Sequence, residues 1–176
     1  MFFRRHIKQG EEIGNLINAM LQSVITGSAL DNNPYGRFAP PADFFADSYV
    51  CGFIHNYAGY AINWGLGGTS WSSKKKGECV ITVLKTVDPT GVLDQSLIGK
   101  IERDQSLYQQ GANDGTTVIG LMYGKLKPDD PDPKVSNAKK LAAELVATGA
   151  AASQSEALAS AALIVTLRQY VQDKWG

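Results

Sequence analysis

The side chains best suited to chemistry in this chain fall in one short stretch, where Asp47, Cys51 and His55 are spaced i, i+4 and i+8. On a helix that spacing lines the three up along one strip. Carboxylate, thiolate and imidazole are all competent ligands for zinc or iron, and a catalytic metal needs only three protein ligands with one position open. Cys51 and His55 can also be read as a thiolate and its base, aimed at an acyl or similar group. Two facts weigh against both readings. Side chains spread over two turns meet on one atom only with a ligand from elsewhere, and His6 is the only other histidine. No nucleophile signature surrounds Cys51 either, so a buried cysteine with His55 bonded to a backbone carbonyl is the stronger expectation.

A second candidate is the glycine-rich stretch Gly65-Leu66-Gly67-Gly68, followed by Lys74, Lys75 and Lys76. Backbone N–H groups of Gly67 and Gly68 together with three ammonium groups suit an anion such as phosphate. Neither the P-loop pattern nor the dinucleotide fingerprint is present, which favours a solvated loop. Trp71 stands out within it, because an indole is normally packed or used in recognition. Carboxylate pairs such as Glu102 with Asp104, or Glu11 with Glu12, resemble ordinary solvated helix faces. The run Asp129, Asp130, Asp132 lacks the glycine and closing glutamate of a calcium loop and is broken by prolines, so a calcium-binding hand is rejected.

The elements that would carry these residues are helices. Ile13, Leu16, Ile17, Met20, Leu21 and Val24 recur at three- and four-residue intervals, which defines a first helix over about Ile7 to Ile25. Turn formers from Asp31 to Pro41 then separate it from a second helix, roughly Ala42 to Trp64, that is apolar or aromatic on nearly every side. This should be the centre of the core. Gly52, Gly59 and neighbouring alanines leave little side chain on parts of its surface, so Gly52, Gly59, Tyr60 and Trp71 are candidate contacts for another helix or a second subunit.

Further on, Cys79 to Val87 fits a short helix better than a strand. Asp88-Pro89 reads as the start of another helix with Leu93, Leu97, Ile98, Ile101 and Tyr108 as its buried stripe and Gly111 as its stop. Val118 to Tyr123 begins a short helix, Ser136 caps the next, and Gly149 ends that one. Ser153 and Glu156 have capping-box spacing and open a last helix to about Trp175. The stretch Ile119-Gly120-Leu121-Met122-Tyr123 through Ala138, Leu141, Leu145 and Gly149 resembles one unit of the Sel1-type helical repeats, which form interaction scaffolds. It covers about a fifth of the chain and has no second copy, which a solenoid would require.

Composition sets the outer limits. The 176 residues, 44% of them hydrophobic, suit one domain. Seventeen Lys and Arg balance seventeen Asp and Glu, which removes any general attraction for nucleic acid. Two cysteines make no disulfide framework and no zinc spacing, and both are expected reduced. Glu11 and Glu12 interrupt what a signal peptide would need, and no run of about twenty apolar residues spans a membrane. The expectation is an all-α, single-domain cytoplasmic bundle of six or seven helices around a central apolar helix. Its leading function is a self-associating interaction module; the alternative is a ligand- or metal-binding helical enzyme, possibly hydrolytic, centred on His55 and Cys51. No cofactor is assigned.

Overall fold

The computed structural model describes residues 5–26, 40–65, 70–99, 102–126 and 130–176. Among these residues there is no strand, and the architecture is an all-α multi-helix bundle. Helix α1 covers Arg5–Thr26, and it buries Ile13, Ile17, Met20, Leu21 and Val24 while Leu16 turns outward. A short 3-10 turn, Phe44–Ala46, precedes α2, Ser48–Tyr60, which continues as a π turn over Ala61–Gly65. The second helix is therefore shorter than its apolar run. Asp47 interrupts it with extended backbone and takes the Val50 N–H on its carboxylate, so the residue serves as N-cap rather than as part of the helix. Tyr49, Val50, Cys51, Phe53, Ile54 and Tyr57 are all fully buried, which places α2 at the centre of the core as its composition requires.

Helix α3, Ser73–Val87, absorbs the lysine segment that reads as loop, because the Ser72 hydroxyl caps it by accepting the Lys75 N–H. Asp88 does not open the next helix. Its carboxylate accepts from the Thr90 N–H and hydroxyl and from the Leu93 N–H, and the chain turns through Gly91, at φ 82°, into the short α4, Val92–Leu97. Helix α5 restarts at a second cap, Asp104, and runs over Gln105–Met122 straight through Gly111. The expected stop at Gly111 and the separate short helix at Val118 are both replaced by this one element. Helix α6, Pro133–Ala147, is capped by Asp132 with Pro133 in its first turn, not by Ser136. Gly149 ends it at φ 72°, as its position suggests. Ser153 caps α7, Gln154–Leu163, and Glu156 reaches back to the Ala152 N–H. A π turn, Ile164–Arg168, leads into α8, Gln169–Trp175.

The packing of α2 on α5 depends on small residues. A Cβ added to Gly111 would lie 1.9 Å from the Tyr49 carbonyl oxygen, one on Gly115 2.5 Å from that of Phe53, and one on Gly52 2.0 Å from that of Tyr108. Only glycine permits backbones this close. The paired residues advance together along both chains, so α2 and α5 run parallel. Asn56 extends the same series by donating to the Ala112 carbonyl and the Thr116 hydroxyl. The α1–α3 pair repeats the arrangement, with Gly10 on Thr82, Gly14 on Thr86, His6 on Glu78 and Asn18 on the Thr86 carbonyl. Helix α6 packs mainly on α7 rather than on the end of α5, so the stretch that resembles a Sel1 unit does not close on itself as a helical pair.

Candidate functional site

Cys51 and His55 lie one turn apart on α2 with Asp47 at its N-cap, and each of the three is turned to a different partner. Asp47 bonds the Val50 N–H and faces α8, the Cys51 thiol donates to the Phe45 carbonyl at 3.1 Å, and His55 Nε2 lies 2.9 Å from the Leu93 carbonyl. Among the described residues no three His, Cys, Asp or Glu side chains are grouped to hold a metal ion. Because a carbonyl only accepts, Nε2 carries the proton, so Nδ1 is an acceptor and the Tyr108 hydroxyl donates to it at 3.0 Å. The Arg103 guanidinium sits over the Tyr108 ring, 4.3 Å from its centroid. Burial lowers the His55 pKa to about 4; the Leu93 bond opposes this and Arg103 adds to it. Burial likewise raises Cys51, partly offset by the neighbouring Ser96 hydroxyl. Both shifts favour the uncharged form of the side chain, imidazole for His55 and thiol for Cys51.

A second polar constellation was not evident from spacing. Asp114, 3% exposed on α5, receives Lys134 Nζ at 2.6 Å on both carboxylate oxygens and the Tyr49 hydroxyl at 2.5 Å. Tyr49 stacks on Tyr170, whose hydroxyl donates to Asp47 Oδ2 at 3.1 Å. Lys174 Nζ meets the same Asp47 oxygen at 2.5 Å, and the Trp175 indole N–H reaches Asp43 at 3.2 Å. Burial, with Asp114 next, raises the Tyr49 pKa far beyond the usual phenol range, and Tyr170 rises through burial and Asp47. The one signal available in sequence was a charged residue, Asp114, within the small-residue face of α5 among Gly111, Ala112, Gly115 and Val118. The partners come from α2, α6 and α8, far away along the chain.

The anion candidate divides. Lys74, Lys75 and Lys76 occupy the first turn of α3, and Gly67 and Gly68 lie outside the described residues. Trp71 stands edge-on to His6, ring centroids 6.1 Å apart, and so is packed between α1 and the start of α3. Of the candidate contact residues, Gly52 is consumed inside the molecule by α5. Gly59 differs: among the described residues nothing lies within 4 Å of where its Cβ would be. Beside it Tyr60 and Trp64 are partly exposed and pack against each other in a tilted arrangement, 4.4 Å between centroids with planes 33° apart. A cleft of about 370 Å³ lies between Pro40–Ala46 and Val87–Val92, lined by Phe45, Val87, Asp88, Pro89 and Val92. No helix among the described residues is long and apolar enough to cross a membrane. Comparison with known proteins places no relative beside this chain: no family model, no curated protein and no solved structure matches it.

Proposed function

We propose that the protein is a self-associating helical interaction module of the cytoplasm, and that its contact face is centred on Gly59, Tyr60 and Trp64. The observation that carries this reading is the space left open over Gly59 by the described residues, beside a partly exposed, closely packed Tyr–Trp pair on the central helix. Aromatic side chains on a rigid element supply large contact area at little entropic cost, and a neighbouring glycine lets a partner helix approach. The neutral, internally bonded state of His55 and Cys51 supports binding over thiol catalysis.

Sedimentation velocity across a concentration series tests the proposal. Wild-type protein should associate as concentration rises, and Gly59→Arg, which fills open space without touching the core, should remain monomeric at the same concentrations. A wild-type chain that stays monomeric throughout, or a Gly59→Arg variant that associates equally well, overturns it.

A second reading, a small-ligand site at Cys51 and His55, has one observation in its favour. Among the described residues the fully buried Ser96 hydroxyl has only a contact of poor geometry with the Cys51 sulfur, and under-satisfied buried polar groups mark places where a water or ligand fits. Native mass spectrometry of gently purified protein separates the readings, since a retained small molecule or metal lost in His55→Ala supports the second and an adduct-free oligomer supports the first.

A further inference from the structure

Helix α8 is attached to the bundle mainly through polar and aromatic side chains. It fully buries a single apolar side chain, Val171, and its remaining attachments are polar or aromatic and converge on the turn before α2. Tyr170 stacks on Tyr49 and bonds Asp47, Lys174 pairs with Asp47, and Trp175 bonds Asp43 and packs on Phe44 at 5.4 Å between centroids. The segment that joins α8 to the core-packed α7 is the π turn Ile164–Arg168, a less stable geometry than α-helix. The Thr166 hydroxyl also draws on the Ala162 carbonyl there, at 2.6 Å. The turn itself is anchored by the buried Thr166 and Leu167, whereas α8 beyond it buries one apolar side chain, and an end segment held by so little apolar burial opens locally at lower free energy than the whole domain.

The surface beneath α8 matches a defined occupant. Asp43, Phe44, Asp47 and Tyr49 present two carboxylates and two ring faces to a helix carrying tyrosine, then lysine and tryptophan four and five residues later. We infer that this surface is an exchange site: it holds α8 of its own chain in the monomer and α8 of a second copy in the associated form. The contacts are identical in the two arrangements, so exchange loses no side-chain interaction and is driven by concentration alone. Charge complementarity selects the occupant, because Lys174 is the side chain that neutralises the Asp47 oxygen left free by the helix cap. This inference rests on the self-association proposed above and supplies a second contact between the two copies.

Zero-length carbodiimide cross-linking of a mixture of light and heavy-isotope wild-type protein tests it, since an amide can join Lys174 to Asp47 where the two groups touch. In the associated fraction, linked peptides that combine a light and a heavy chain are expected; links confined to one isotope overturn the exchange. If association persists with same-isotope links only, exchange fails while the contact face at Gly59 stands. If no association occurs, the underlying proposal fails. A charge-reversal pair provides an independent readout. Asp47→Lys and Lys174→Glu each place like charges together within a chain, yet mixing them allows α8 of each to meet an opposite charge on the other. Heterodimers exceeding either homodimer by native mass spectrometry support exchange, and a mixture equal to the sum of its parts refutes it. Far-UV circular dichroism of each single variant establishes that it is folded, and if Asp47→Lys is not, the isotope experiment decides alone.

Discussion

Tyr49 lies flat on Tyr170, with ring centroids 3.8 Å apart and planes within 13° of parallel, and the two phenols donate to different buried carboxylates. One stacked pair therefore joins Asp114 on α5 to Asp47 at the start of α2. The two ends of this chain of contacts differ in what else holds the carboxylate: the Asp114 side chain, 5% exposed, is held by Lys134 and Tyr49, whereas the Asp47 side chain, 2% exposed, pairs with Lys174 and Tyr170 and also caps a helix.

Lys134→Met should accordingly destabilise the protein more than Lys174→Met. The first leaves a buried carboxylate with only the Tyr49 hydroxyl, a loss of about 3 kcal/mol for a broken buried pair. The second leaves Asp47 its Val50 and Tyr170 bonds and should lose about 1 kcal/mol. Urea denaturation of both variants checks the order, and equal losses would contradict it.

Glycine substitutions should divide sharply by position. Gly111→Ala forces a methyl group into the Tyr49 backbone and should destabilise by more than about 4 kcal/mol or prevent folding. Gly59→Ala meets open space in a helix and should stabilise by about 0.5–1 kcal/mol. Thermal unfolding of the two variants, measured side by side, reads both signs at once.

Stability should fall with pH below neutrality because of His55. Its folded-state pKa, lowered to about 4, lies below the ordinary 6.5, so between these values the unfolded chain binds the proton and the folded one does not. This contribution is complete above pH 6.5 and is lost as the pH drops toward 4, reaching roughly 3 kcal/mol at the lower limit. His55→Gln should flatten the dependence between pH 7 and pH 5.5, where carboxylates scarcely titrate. A variant with the same slope as wild type would show that another group is responsible.

Both thiols should resist alkylation in the native state. Burial holds Cys79 at a pKa of about 11 and raises Cys51 as well, so little thiolate exists at neutral pH and neither sulfur meets solvent. Mass spectrometry after iodoacetamide treatment should show no adduct until denaturant is added.

Local signals made much of this fold legible. The 3.6-residue periodicity gave α1 and the turn chemistry at Gly149 and Ser153 gave the ends of α6 and α7, because caps and stripes are written in neighbouring residues. The misread boundaries share one cause. Asp88 and Gly111 look like a start and a stop, yet Asp88 folds a turn back on itself and Gly111 is a helix-interior residue required by a helix 62 positions earlier in the case of Tyr49. The site divided in the same way. His55 and Cys51 were readable as a strip, but their partners Leu93, Tyr108 and Phe45 were not, and Asp114 with Lys134 and Tyr49 exists only once distant helices meet.

The parallel pairing of α2 with α5 and of α1 with α3 has a consequence for how the chain folds. Antiparallel neighbours form a hairpin whose helices find each other within a short loop, but parallel partners need a return path along their whole length. Contacts between α2 and α5 join residues 53 to 65 positions apart, and those between α1 and α3 join residues 68 to 72 apart. Loop closure on that scale precedes any contact energy, so this helical protein should fold more slowly than an up-and-down bundle of its size, with α1 and α2 each waiting for a partner made much later in synthesis.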